Sequence, residues 1–79
     1  MQNNRSAGMA AFTAIELAIL SDIADGYQSK EIAVRIARSK PTVESYVRLL
    51  CAKMGARSRP HLVACAYRRG LISLSPLAA

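Results

Sequence analysis

Apolar residues recur along this chain at helical spacing, in four separate stretches divided by glycine, serine or proline. Ile15, Ile19, Leu20, Ile23 and Ala24 share one face of a helix expected over residues 13–25. Its start is marked by Thr13 and Glu16, spaced for a capping box, and by Phe12 and Leu17, placed for a hydrophobic staple. Gly26 ends it, as a residue that turns left-handed without steric cost. Ile32, Ala33 and Ile36 then predict a short helix over 29–36, and Ala37, Arg38 and Ser39 form a turn. A third helix comes next, over 41–54, with Ser39 as its cap and Pro41 in its first turn, where the missing N–H costs nothing. Val43, Val47, Leu50 and Met54 give it one narrow apolar stripe, and Gly55 stops it. Ser58 caps the last helix, expected over 59–69 with Pro60 in its first turn and Gly70 closing it. No alternating pattern intervenes, so the expected fold is all-α with four helices.

The third helix turns an outer face of short or polar side chains to solvent: Pro41, Glu44, Ser45, Arg48 and Ala52. Such a band either enters a groove or is a solvated helix face, and helix-turn-helix spacing alone does not separate the two. On the fourth helix, Leu62, Val63, Ala66 and Tyr67 span about 140° at 100° per residue, and Cys65 widens the apolar surface further. That width fits a surface shared with a partner or a helix sunk in the core. Leu71, Ile72, Leu74 and Leu77 in the tail compete to cover it.

Residues 1–11 carry no apolar period and read as a flexible arm, residues 12–72 as one domain and residues 73–79 as a tail. A domain this small buries about 60% of the surface its unfolded chain exposes, so a partner adds to a modest core. Of its residues 52% are hydrophobic, yet charged residues break every apolar stretch before it reaches membrane-spanning length. Glu16 interrupts the apolar N-terminal region and no small-residue cleavage site comes after it, which argues against a secretory signal.

Charge sharpens the picture. Eleven basic residues face five acidic ones, for a net charge of +6. Residues 1–29 hold Arg5 against Glu16, Asp22 and Asp25, whereas residues 30–79 hold ten basic residues against Glu31 and Glu44. The positive field therefore belongs to the central helix pair and to the segment C-terminal to it. Spread over several short helices, it suits a nucleic acid better than a membrane surface. Cys51, His61 and Cys65 match no zinc spacing, and each cysteine reads as a small apolar residue in a reducing cytoplasm. One histidine, no glycine-rich phosphate loop and no nucleophile–base set point away from an enzyme, a metal or a cofactor.

From Phe12 to Ile72, about three quarters of the chain, the sequence resembles the four-helix LuxR-type (GerE-type) DNA-binding domain. Phe12-Thr13, Glu16, Ile19-Leu20, Ala24 and Gly26 match the family's opening frame, and Lys30-Glu31-Ile32-Ala33 its most recognisable tetrapeptide. Ser39, Thr42-Val43, Lys53, Gly55, Arg57-Ser58-Arg59 and Arg68-Arg69-Gly70-Leu71-Ile72 continue in register. The resemblance implies a transcription regulator whose third helix lies in the major groove of double-stranded DNA while the fourth pairs two protomers. Base reading would then fall to Glu44, Ser45 and Arg48, and phosphate contacts to Lys30, Ser39, Lys40, Thr42 and Arg57. Arg57 and Arg59 have a second option, pairing with Glu16 or Glu31. Ala64, Cys65, Tyr67 and Arg68 would form the interface of a homodimer bound to an inverted repeat.

The departures from the family pattern carry information too. Glu44 stands where a lysine or arginine is usual, Tyr46 for histidine, Leu49 for a polar residue and Ala52 often for a base. Glu44 repels phosphates but is able to accept a bond from cytosine N4. The competing reading is a protein-interaction module that pairs through its fourth helix with a longer regulator of the same type and inhibits it. Members often carry a receiver or ligand-binding module as well; this chain resembles the standalone form, a cytoplasmic, nucleoid-associated protein of bacterial or phage origin.

Overall fold

The computed structural model describes residues 12–73, which form four helices: α1 Ala14–Ala24, α2 Ser29–Arg35, α3 Lys40–Met54 and α4 Arg59–Arg68. There is no strand among the described residues. Each helix lies within a residue or two of its expected span, because the signals that set the ends are local. Thr13 caps α1: its Oγ1 accepts the Glu16 N–H (3.2 Å), and Glu16 Oε1 accepts the Thr13 N–H (2.9 Å). Ser39 and Ser58 cap α3 and α4 in the same way, accepting the N–H groups of Thr42 and His61. Each of these bonds satisfies a backbone donor that the first helical turn leaves open.

α3 packs against all three of the other helices, and α1 closes the remaining side against α2 and α4. The core they enclose is built on Ile19, Leu20, Ile32, Val43, Leu50 and Leu62, all fully buried. Burying each such side chain is worth about 1.5–3 kcal/mol, which is how the narrow stripe on α3 holds that helix in place. Phe12 is buried at the entry to α1, with Leu17 partly buried against the same core.

Three polar contacts tie the layers together. Lys53 at the end of α3 reaches Glu16 on α1 at 3.0 Å. Arg35 on α2 donates to Asp22 on α1 at 3.0 Å, its guanidinium 4.3 Å from the centre of the Tyr27 ring. Arg59 at the start of α4 donates to the buried Ser29 hydroxyl at the start of α2 (2.8 Å). Glu16 and Asp22 are therefore buried, while Ile15 and Ala24, expected on the buried face of α1, are only half-buried. A carboxylate with a cation or backbone donor in reach is stable where an unpaired one is not.

On α4, Leu62, Cys65 and Ala66 face the core. Cys65 is buried as a small apolar residue of this core; Val63 and Ala64 are half-buried, and Tyr67 and Arg68 exposed. Leu71 and Ile72 pack partly against the same core, while Leu74 and Leu77 lie outside the described residues, as does the arm of residues 1–11.

Candidate nucleic-acid interface

α2, the turn at residues 36–39 and α3 form a helix-turn-helix. Ile36 ends α2, and Ala37 takes a left-handed φ of 58°. The Arg38 N–H then reaches back to the Ala33 carbonyl at 2.9 Å and the Ala37 N–H to that of Val34 at 3.2 Å. This closing motif satisfies two orphan carbonyls of α2 and turns the chain sharply into α3.

With Val43, Val47, Leu50 and Met54 buried, every residue of the opposite band, Pro41, Glu44, Ser45, Arg48 and Ala52, is exposed. Glu44 and Arg48 lie one turn apart on that band, about 40° around the axis. Arg48 Nη2 donates to the Ser45 hydroxyl at 3.1 Å, and the Lys40 ammonium sits 4.0 Å from the Glu44 carboxylate. Both contacts are on the surface, where such pairs contribute at most about 1 kcal/mol, so neither locks its side chains away from a ligand.

The cationic positions gather beside this band. Lys30, Lys40 and Arg59 line an open groove of about 580 Å³ with Glu44, between the starts of α2, α3 and α4. Ser39 and Thr42 stand at the first turn of α3, their hydroxyl oxygens 2.9 Å apart. A hydroxyl has one donor and two acceptor sites, so this bond leaves capacity for a further contact. Arg57 is exposed in the turn before α4, where its backbone N–H donates to His61 Nδ1 at 3.0 Å. Neither Arg57 nor Arg59 pairs with Glu16 or Glu31: Lys53 takes Glu16, Arg59 takes Ser29, and Glu31 accepts the Gln28 N–H at 2.7 Å.

One feature of α3 is not apparent from helical spacing. Thr42, Ser45, Tyr46 and Leu49 line a shallow depression of about 220 Å³ beside Arg48, with Tyr46 half-buried and Leu49 46% exposed. Among the described residues no group of three or more histidine, cysteine, aspartate or glutamate side chains is placed to hold a metal ion. No helix among them is long and apolar enough to cross a membrane.

The profile of the family described as bacterial regulatory proteins, luxR family, matches residues 10–66, most of the chain and all of the helix-turn-helix. The chain belongs to the LuxR family. Its LuxR-type region is 42% identical over 57 residues to the oxygen regulatory protein NreC of Staphylococcus aureus, in strains JH9, JH1 and NCTC 8325 among others. That alignment covers 72% of this chain and 26% of NreC, so the chain spans about a quarter of the length of the relatives it matches. No solved structure gives a significant match. Within the LuxR frame, α2 and α3 are the helix-turn-helix pair and α4 is the helix that comes after it.

Proposed function

We propose that this chain is a DNA-binding transcription regulator that acts as a homodimer, with α3 in the major groove. The observation that carries the reading is the two-sidedness of α3: four buried apolar residues anchor it, and its whole opposite band stands free beside a row of cations. A helix so presented fits the roughly 12 Å wide major groove of B-DNA. Glu44, Ser45 and Arg48 are the base readers, Arg48 through guanine O6 and N7. Lys30, Ser39, Lys40, Thr42 and Arg57 hold phosphates, which set register without specifying sequence.

Pairing falls to the outer side of α4. Tyr67 is 51% exposed there, with Arg68 beside it and Ala64 one turn before. A large aromatic ring left half in water is the kind of side chain that anchors a two-fold contact. Two protomers so related place their α3 helices about 10–10.5 base pairs apart.

The test is selection of bound duplexes from a random pool. An enriched inverted repeat with that half-site spacing is the expected result. An absence of enrichment, with the protein instead capturing a longer LuxR-type regulator, makes the inhibitory interaction module the better account.

A further inference from the structure

Arg48 and Leu49 diverge by about 100° around α3 and straddle Ser45 and Ala52, the centre of its exposed band. One flank of the band is charged, with Glu44 and Arg48; the other is apolar. Thr42 lies two turns before Leu49 and within about 20° of it, so its methyl group extends the same strip. Thr42, Ser45, Tyr46 and Leu49 together form the depression of about 220 Å³, in which Leu49 is 46% exposed.

Its surroundings decide what fits it. Lys40 and Arg48 lie on the same helix, Lys30 across the adjoining groove, and Ser45 belongs at once to the depression and to the polar band. A stable protein interface engages about 20–30 residues a side, far more than four residues on two turns. By itself the depression has room for a small apolar group, and the cations around it favour one carried on a polyanion. In the major groove that group is the C5-methyl of thymine, which alanine, threonine and aromatic side chains contact in known readouts.

We propose that Leu49, with Tyr46 and Thr42, forms a thymine-methyl pocket, a specificity element beside the polar readers on α3. The proposal rests on the DNA-binding reading above. Leu49 is displaced from Arg48 by about 1.5 Å of helix rise, so the thymine lies within about two base pairs of the guanine that Arg48 reads.

Deoxyuridine differs from thymidine by this methyl alone and leaves base pairing unchanged. In the selected site, each thymine is replaced singly by deoxyuridine and binding is titrated. At one thymine per half-site the substitution should weaken binding about three- to fivefold, the worth of one buried methyl. Leu49→Ala should reduce the deoxyuridine penalty, because only Thr42 and Tyr46 then remain against the methyl, while Leu49→Met and Arg48→Ala keep the full discrimination. Equal binding of the two sites by the parent protein, or a deoxyuridine penalty that is undiminished in Leu49→Ala, overturns the pocket and leaves DNA binding intact. Failure to enrich any site overturns the DNA-binding reading itself, and the pocket with it.

Discussion

The Lys53 ammonium donates to both carboxylate oxygens of Glu16, at 3.0 and 3.1 Å, and so fastens the last turn of α3 to the first turn of α1. Glu16 is only 3% exposed and also accepts the Thr13 backbone N–H that caps α1. One carboxylate thus starts a helix and holds the far end of the helix-turn-helix. The Lys53 ammonium lies 5.1 Å from the centre of the Phe12 ring, which adds a cation–π contact to the same corner.

That arrangement sets an acid dependence. Burial pushes the Glu16 carboxyl up, but the Thr13 backbone N–H and the Lys53 ammonium together outweigh it and hold the group below its ordinary value. The unfolded chain therefore binds the proton more tightly than the folded one, and stability rises with pH through that interval. The contribution is fully present above the ordinary carboxylate range and is lost as pH falls through the lowered folded value. Glu16→Gln should cost about 1.5–3 kcal/mol at pH 7, the range for a hydrogen bond to a charged group. Urea melts should show the gap between parent and variant closing as pH falls below the ordinary carboxylate range; a gap independent of pH would mean that the charge on Glu16 contributes nothing.

Ala37 supplies a second prediction. α1 and α2 end in the same backbone motif, with Gly26 at φ 94° in the first and Ala37 at φ 58° in the second. A left-handed residue with a Cβ costs about 1–2 kcal/mol, and glycine returns part of that gain as unfolded-state entropy. Ala37→Gly should raise the unfolding free energy by about 0.5–1 kcal/mol, read as a shifted urea midpoint with an unchanged slope. A loss of stability would show that the Ala37 methyl makes contacts worth more than the strain.

The elements that the sequence discloses and those it hides divide by distance along the chain. Thr13 with Glu16, Ser39 with Thr42 and Ser58 with His61 act across one turn, and Val43, Val47, Leu50 and Met54 repeat at the helical period, so caps and stripe are legible from residue order alone. Glu16 with Lys53 spans 37 positions and Arg35 with Asp22 spans 13, so nothing local marks either. Glu16 reads as a capping residue, which it is, and its second partner appears only when α3 is docked. The width of apolar surface on α4 is visible in sequence, but whether Cys65 faces a neighbour or the core depends on where α1 and α3 lie. Leu49 reads as a departure from the family pattern; the depression it forms with Tyr46 needs the side chains in place.

Lys30 tests the phosphate assignment. It is exposed in the first turn of α2, where a cation opposes the helix dipole, so Lys30→Ala leaves the fold intact or slightly stabilises it. If Lys30 holds a phosphate, the variant should bind all duplexes more weakly by a similar factor. The slope of log affinity against log salt should fall by about 0.9, the value for one neutralised phosphate on B-DNA. A changed sequence preference would move Lys30 from positioning to base reading.

Glu44 and Arg48 separate the DNA reader from an inhibitory interaction module. Arg48→Ala should cost about 1–3 kcal/mol on the selected site and relax choice at one base pair, because a bidentate contact to guanine is lost. Binding to a scrambled duplex should fall much less. Glu44→Lys should act in the opposite direction on bulk DNA. In the parent, the Glu44 carboxylate lies 4.0 Å from the Lys40 ammonium and offsets part of its charge. Reversing the charge releases Lys40 and adds another cation, so nonspecific affinity rises and its salt dependence steepens. On the selected site, if Glu44 reads a cytosine, the same change should remove its bond to N4, so the ratio of specific to nonspecific binding should fall even as total binding grows. Titrating both variants against selected and scrambled duplexes at two salt concentrations gives four affinities for each protein. A module that only pairs with another regulator predicts no selective loss in Arg48→Ala. If that variant binds both duplexes as the parent does, α3 is not the reading helix, and the outer face of α4 becomes the working surface of the domain.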